Sequence, residues 1–171
     1  MNNNKVKFLT RTAMLLALTL VFQYLGRLIP LGQYSSFIVG PLVNACLLIS
    51  TGLVGIYSGA VISVLSPFGA LLTGAAYPLV FAPFIALGNF VLVLLFYIFK
   101  EKRVIGVISG AIAKFVVIYG SLLYVIPYFK LMPTNMALKL AGFSFGWPQL
   151  VTALIGGAIA IPIIKRIKRL I

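Results

Sequence analysis

Few residues of this chain are suited to covalent chemistry. Its 171 residues include no histidine, a single acid, Glu101, and a single cysteine, Cys46. Glu101 lies in the basic stretch KEKR (100–103), and Cys46 lies in an apolar stretch without a neighbouring base. Acid–base and nucleophilic catalysis both need a proton carrier beside the reacting group, and metal sites need clusters of imidazole, thiolate or carboxylate. The sequence therefore predicts no catalytic residues, no metal site and no cofactor.

Two polar residues interrupt long apolar stretches and are candidates for binding. Lys114 follows Arg103 by eleven residues, and Asn89 follows Pro78 by eleven. An ionisable side chain inside a bilayer is costly and by default marks a functional site. If the two stretches form antiparallel helices, both side chains lie near mid-membrane and would be able to meet. Lys114 then either contacts a ligand or is satisfied by Asn89 and nearby carbonyls.

The composition is that of a membrane protein. Hydrophobic residues make up 62% of the chain, charged residues make up 9%, and residues 28–99 carry no charge. Because a transmembrane helix needs about 20 apolar residues, this uncharged block predicts three spans and the whole chain six. We predict an all-α membrane protein, a compact bundle of six transmembrane helices in a single domain over residues 1–171. The predicted spans are 8–26, 37–50, 53–66, 78–99, 104–127 and 145–164.

The basic residues predict the orientation of this bundle, because cytoplasmic loops carry an excess of lysine and arginine. With the N-terminus inside, ten basic residues are cytoplasmic and three are outside, so both termini are predicted to be cytoplasmic. The net charge of +13 then reflects orientation and not a nucleic-acid partner. A cleaved signal peptide over the first span is an alternative, but no convincing small-x-small cleavage site precedes Gly32. The cytoplasmic set is Lys5, Lys7, Arg11, Lys100, Lys102, Arg103, Lys165, Arg166, Lys168 and Arg169, and the outer set is Arg27, Lys130 and Lys139.

Aromatic and hydrogen-bonding residues gather in the loops predicted to lie outside. Rings supply contact area and a few polar groups fix orientation, which is how small-molecule pockets are lined. Any single Tyr or Trp here is also explained by an interfacial aromatic belt, so the prediction depends on their convergence. We predict a substrate site in the outer half of the membrane formed by Tyr34, Tyr77, Asn89, Lys114, Tyr128, Asn135, Trp147 and Gln149.

Small residues recur at four-residue spacing in several spans, and such pairs let helix backbones approach closely in lipid. The pairs at 55 and 59, 106 and 110, and 156 and 160 are most simply explained by packing within the chain. Ala13 and Ala17 differ because they lie one turn past the basic N-terminus, in the cytoplasmic half of the first span. There they are predicted to face a partner subunit.

Several short segments resemble the substrate-specific S component of an energy-coupling factor (ECF) vitamin transporter. AMLLA (13–17) matches the docking motif of that family, and GPLVN (40–44), SPFGALLTG (66–74) and PFIALGN (83–89) are similar to segments of its vitamin-binding members. The resemblance covers the whole chain. It implies a binding protein of the prokaryotic cell membrane that captures a small water-soluble vitamin or related micronutrient from outside. Delivery would require a transmembrane coupling subunit, docked at the two alanines, and two ATPase subunits that alone hydrolyse ATP.

The charged residues of the predicted site restrict the class of ligand but do not identify the ligand. A site with lysines and no carboxylate disfavours cations such as thiamine or nickel, because nothing would neutralise them at low dielectric. A neutral or anionic aromatic vitamin fits better, and folate, riboflavin, pyridoxine, pantothenate or a relative remain open. The alternative function is a self-sufficient secondary transporter or channel for a small neutral or anionic solute, although acids or a polar pore would be expected in its spans. A structural membrane protein would need no pocket at all.

Overall fold

The computed structural model of the chain describes residues 3–28, 32–74, 77–143 and 145–170, and these residues are helical apart from short connections. The α-helices are α1 (Asn3–Leu28), α2 (Ser36–Leu53), α3 (Ile56–Leu72), α4 (Ala82–Ile98), α5 (Arg103–Gly120), α6 (Ile126–Tyr128), α7 (Thr134–Phe143) and α8 (Trp147–Lys168). Short 3₁₀ helices, Gly32–Ser35 and Leu79–Phe81, precede α2 and α4, and a π-helical turn, Ser121–Val125, joins α5 to α6. No β-strand occurs in the described ranges.

Six helical segments correspond to the six predicted spans. Five of them are long and apolar enough to cross a membrane, and α3 is a shorter apolar helix of 17 residues. The prediction of an all-helical membrane protein is confirmed. Helix α3 continues to Leu72, beyond the predicted end at residue 66, and contains the buried Pro67. Proline is tolerated inside membrane helices because neighbouring groups satisfy the freed backbone, so Ser66-Pro67 does not end this helix.

Glycines set the spacing between several of the helices. A Cβ atom built on Gly106 would lie 3.0 Å from the Cα atom of Phe96, and one built on Gly110 would lie 3.0 Å from the carbonyl oxygen of Leu92. These two glycines therefore let α5 pack directly against the backbone of α4. Gly55 has a different role, because it begins α3 with a φ of 129° and has open space where its Cβ would be.

Helix α1 lies at the periphery of the bundle. Only 11% of the residues in its most apolar 18-residue stretch are buried, against 33–50% in the corresponding stretches of the four other long spans. Its contact with the bundle includes Thr12, whose hydroxyl donates to the hydroxyl of Ser58 at 2.8 Å. Ala13 and Ala17 are exposed on the remaining surface of the helix. One side of α1 is thus left without a partner inside the described chain.

The two ends of the bundle differ in charge. The start of α1, the α2–α3 turn, the α4–α5 turn and the last turn of α8 lie together, since Thr12 bonds Ser58 and residues 51–55, 100, 103 and 168 border one cavity. We call this the basic end, because the ten basic residues predicted to be cytoplasmic belong to it. The other end, called here the opposite end, carries α6, α7 and the connection between α3 and α4.

Candidate functional site

Lys114 is buried in the centre of the bundle and is held by α2. Its Nζ atom donates a hydrogen bond to Oδ1 of Asn44 at 2.6 Å. The two side chains are 3% and 1% exposed. The single acid of the chain, Glu101, lies in the α4–α5 turn, before the start of α5, which is itself about 16 Å from the lysine at 1.5 Å per residue. A neutral amide, and no carboxylate, therefore accepts the hydrogen bond of this buried amino group.

Close packing of α2 on α8 brings Thr152 of a third helix beside Asn44. We call Lys114, Asn44 and Thr152 the polar group. The Nδ2 atom of Asn44 lies 3.5 Å from the hydroxyl of Thr152, which in turn donates to the backbone oxygen of Gln149 at 3.3 Å. A Cβ atom on Gly40 would lie 2.8 Å from Cγ2 of Thr152, and one on Gly156 would lie 2.6 Å from Cβ of Asn44. These two glycines leave the space that the asparagine and the threonine occupy.

The sequence pattern predicts that Asn89 lies beside Lys114, but in the structure its side chain is turned away from the lysine. It is 3% exposed, and its Oδ1 atom is buried without a hydrogen-bond partner. The preceding residue, Gly88, faces the lysine instead, since a Cβ atom there would lie 3.5 Å from Cγ of Lys114. Successive residues of an α-helix are rotated by about 100°, which turns Asn89 away from the position expected from the sequence. The lysine is paired with Asn44 for this reason, and the asparagine of α4 keeps a free acceptor.

Three buried polar residues, Asn44, Asn89 and Lys114, lie near the middle of the helices that carry them. Asn44 and Asn89 each stand nine residues before the end of α2 and α4, which is about 14 Å from the basic end. Lys114 stands about 16 Å from the same end. Since the hydrocarbon core is about 30 Å thick, all three lie close to the membrane midplane.

An apolar cluster covers this polar group on the side of the opposite end. Ile118 and Leu122 follow Lys114 by one and two turns of α5, and Phe81 and Ile85 precede Asn89 by two turns and one turn. The cluster is closed by two residues from the α5–α7 connection, and all its members are at most 8% exposed. The buried members are Phe81, Ile85, Ile118, Leu122, Ile126 and Met132. We call them the apolar plug, because they separate the polar group from the loops.

The π-helical turn contributes Leu122 to the plug and is followed directly by a second plug residue, Ile126. The backbone N–H of Ile126 bonds to the carbonyl of Ser121, five residues earlier. Pro127 follows this turn and has no N–H to contribute to a regular α-helical ladder. Single π-helical turns are rare and occur frequently at functional sites.

Tyr77 packs on the outer face of the plug. Its ring centroid lies 6.2 Å from that of Phe81 and 5.6 Å from that of Phe145, and its hydroxyl donates to the carbonyl of Pro67 at 2.7 Å. Burial raises the pKa of Tyr77 above its ordinary value, and the positive charge of Arg27 opposes this shift only partly. The phenol therefore stays protonated at neutral pH and serves as a hydrogen-bond donor.

The other predicted site residues lie on or near the surface of the opposite end. Tyr34, Tyr128 and Trp147 are 58%, 81% and 58% exposed. Asn135 is exposed, and its side-chain oxygen accepts the backbone N–H of Met136 at 2.8 Å. Gln149 is partly buried at the start of α8. The structure thus places the predicted residues in two groups, one at mid-membrane and one at the surface, with the apolar plug and Tyr77 between them.

Sequence reasoning did not select Asn44 or Thr152. Both are 1–2% exposed and polar. The available signal was that Asn44 is an amide inside the uncharged block 28–99, within the segment GPLVN. A carboxamide at such a depth needs a partner as much as a lysine does.

Comparison with known protein families supports one assignment. The family model described as "ECF transporter, substrate-specific component" matches residues 7–167. No curated protein and no solved structure gave a match. The chain therefore belongs to the family of substrate-specific components of ECF transporters, which are integral membrane subunits that bind the transported substrate and are not enzymes.

Proposed function

We propose that this subunit captures a small vitamin-like molecule bearing an anionic or strongly hydrogen-bond-accepting group, and that this group is bound by Lys114. The supporting observation is the burial of the lysine against a neutral amide. A lysine at mid-membrane costs about 2.5–3.5 kcal/mol on insertion scales, and one amide acceptor offsets only part of that cost. An anionic ligand group would replace or join Asn44 as its partner.

The polar group sets the class of ligand. It offers hydrogen-bond donors from Lys114 and Asn44. A cationic ligand would find no carboxylate to neutralise it, whereas an anion would meet the lysine in a medium of low dielectric. The aromatic side chains of Tyr77 and Phe81 favour a ligand with a planar ring. Folate, riboflavin and pyridoxine fit this description, and pantothenate fits by its carboxylate alone.

Entry from the opposite end requires the apolar plug to open. The plug closes the polar group in this structure, so the ligand would separate Met132 and its connection from Phe81 and Leu122. The connection between α5 and α8 contains the helix α7 and is long enough to move as a lid. The exposed residues Tyr34, Asn135 and Trp147 would then contact the ligand only in the open state or during closure.

The exposed side of α1 is the proposed docking surface for the partner that drives transport. Ala13 and Ala17 leave a shallow surface there, and close backbone approach at small residues is how membrane helices associate. Family membership implies an ECF module, which we take to comprise a transmembrane coupling subunit and two ATPase subunits. This membership also favours a binding subunit over the self-sufficient transporter or channel considered from the sequence.

The test is to identify the ligand that copurifies with the protein. Wild-type protein, Lys114→Met and Lys139→Met are purified in detergent, denatured, and analysed by mass spectrometry for released small molecules. Lys139→Met is the matched control, because that lysine is exposed on α7. We expect one small acidic or strongly accepting molecule with the wild type and the control, and little of it with Lys114→Met. Equal recovery from all three proteins would place the ligand away from Lys114.

A further inference from the structure

A cavity lies at the basic end, away from the polar group at mid-membrane. It has a volume of about 260 Å³ and is bordered by the α2–α3 turn (51–55), the end of α4, the start of α5 and the last turn of α8. Three cationic side chains line it, Lys100, Arg103 and Lys168. None of its lining residues comes from α1, the helix that carries Ala13 and Ala17.

The charges around this cavity are of one sign. Lys100 and Arg103 belong to the α4–α5 connection and the start of α5, Lys168 belongs to the last turn of α8, and the bundle brings these two segments to one opening. Glu101 is exposed and is not among the lining residues. Like charges held close together repel each other, and an anion between them removes that repulsion. The cavity therefore has the electrostatic character of an anion site.

The remaining lining residues indicate what kind of anion fits. Phe96 forms a buried apolar wall, and the partly buried Leu53 and Val54 and the exposed Tyr97 continue it toward the edge of the bundle. The cavity lies where five membrane helices begin or end, which is the depth of lipid headgroups. A free phosphate ion has no apolar surface to bury against such a wall. A phospholipid has a phosphate for the cations, and glycerol and acyl carbons for the wall.

We propose that this cavity binds the phosphate group of an anionic phospholipid from the inner leaflet. Basic pockets between the cytoplasmic ends of membrane helices are suited to lipid headgroups. The basic end faces the cytoplasm in the orientation predicted from the charge distribution, so the anionic lipid is available on that side. The bound lipid neutralises the three cations and links the ends of α4, α5 and α8.

The test compares two triple variants in native mass spectrometry with added lipid. The pocket variant is Lys100→Gln, Arg103→Gln and Lys168→Gln. The control is Lys165→Gln, Arg166→Gln and Arg169→Gln, which removes the same charge from the same end but outside the cavity. Each cation near an anionic lipid contributes about fivefold in affinity, so the pocket variant is expected to bind phosphatidylglycerol about 100-fold more weakly than wild type. The control is expected to lose less than about tenfold.

Three outcomes would overturn the proposal. One is an equal loss of phosphatidylglycerol in both variants, which would indicate general surface charge. Another is full displacement of the lipid by millimolar inorganic phosphate, which would indicate a site for a free anion. The third is equal binding of phosphatidylglycerol and phosphatidylcholine by the wild type, which tests the headgroup without any variant. Thermal unfolding of both variants in neutral detergent checks that they are folded.

Discussion

Replacing Lys114 and Asn44 separately and together gives the sharpest test of the buried polar group. Asn44→Leu leaves the amino group of the lysine without its acceptor, so we expect a loss of about 1–3 kcal/mol in the stability of the ligand-free protein. Lys114→Met leaves the amide oxygen unpaired at a similar cost, but it also removes the lysine from mid-membrane, which is worth about 2.5–3.5 kcal/mol. We therefore expect Lys114→Met to be neutral or stabilising by up to about 2 kcal/mol.

The double variant is expected to unfold at or above the temperature of the wild type, because no unpaired polar atom of the pair then remains. The coupling energy between the two positions would be about 2 kcal/mol or more. Thermal unfolding in one detergent measures it, at about 2–4 °C for each kcal/mol in a chain of this size. Ligand affinity behaves differently. Every variant without Lys114 should bind the copurified ligand about 10–100-fold more weakly, since a hydrogen bond to a charged group contributes about 1.5–3 kcal/mol.

Two results would refute this reasoning. If Asn44→Leu were as stable as the wild type, the lysine would have another acceptor and the pair would not organise the site. If Lys114→Met lost stability and affinity together, the lysine would be a structural residue only. Lys139→Met, at an exposed position on α7, should change neither quantity and controls for the loss of one positive charge.

The remaining predictions concern docking, helix packing, a turn and orientation. Replacing Ala13 and Ala17 with leucine should abolish substrate uptake by cells but leave ligand binding by the purified protein intact; a parallel loss of binding would make them internal packing residues. Gly156→Ala should lower stability by about 1–3 kcal/mol in thermal unfolding, because its Cβ would lie 2.6 Å from Cβ of Asn44. Gly120→Ala, with nothing within 4 Å of the new atom, should not lower it. Lys130→Gly should raise the unfolding temperature, since Lys130 has a φ of 51° and the left-handed conformation costs a non-glycine residue about 1–2 kcal/mol; an unchanged or lower temperature would contradict this. Single cysteines at Gly32 and Asn135 should react with impermeant reagents in intact cells and one at Lys102 should not, with the buried Cys46 as background; labelling at Lys102 would reverse the orientation.

The helical architecture was predictable because a bilayer leaves the backbone few alternatives. A chain with one acid and 62% hydrophobic residues has to satisfy its peptide groups within each span, and helices do so. Hydropathy and length were therefore sufficient to predict an all-helical bundle with five to six apolar helices able to span a membrane. The end of α3 was less predictable, because a proline such as Pro67 is compatible both with a turn and with the interior of a membrane helix.

The pairing within the site was not predictable by the same means. The sequence identifies Lys114 as exceptional, but its partner Asn44 lies 70 residues earlier in the chain. Which of two neighbouring residues on α4 faces the lysine depends on rotation of the helix about its own axis, and hydropathy leaves that rotation undetermined when all faces are apolar. Packing settles it: Gly88 provides the close approach, and Asn89 is turned aside.

The apolar plug has a consequence for the rates of ligand exchange. If the ligand binds at the proposed site, Phe81, Leu122 and Met132 have to separate before it reaches the buried polar group, and the same step has to recur before it leaves. We therefore expect slow association, because association rates fall when binding requires a conformational change, and correspondingly long residence once the plug has closed again. High affinity would then arise from slow release and not from rapid capture. A subunit with these kinetics would retain its ligand between encounters with the proposed coupling subunit, and we expect the opening of the plug within the assembled complex to limit the rate of transport.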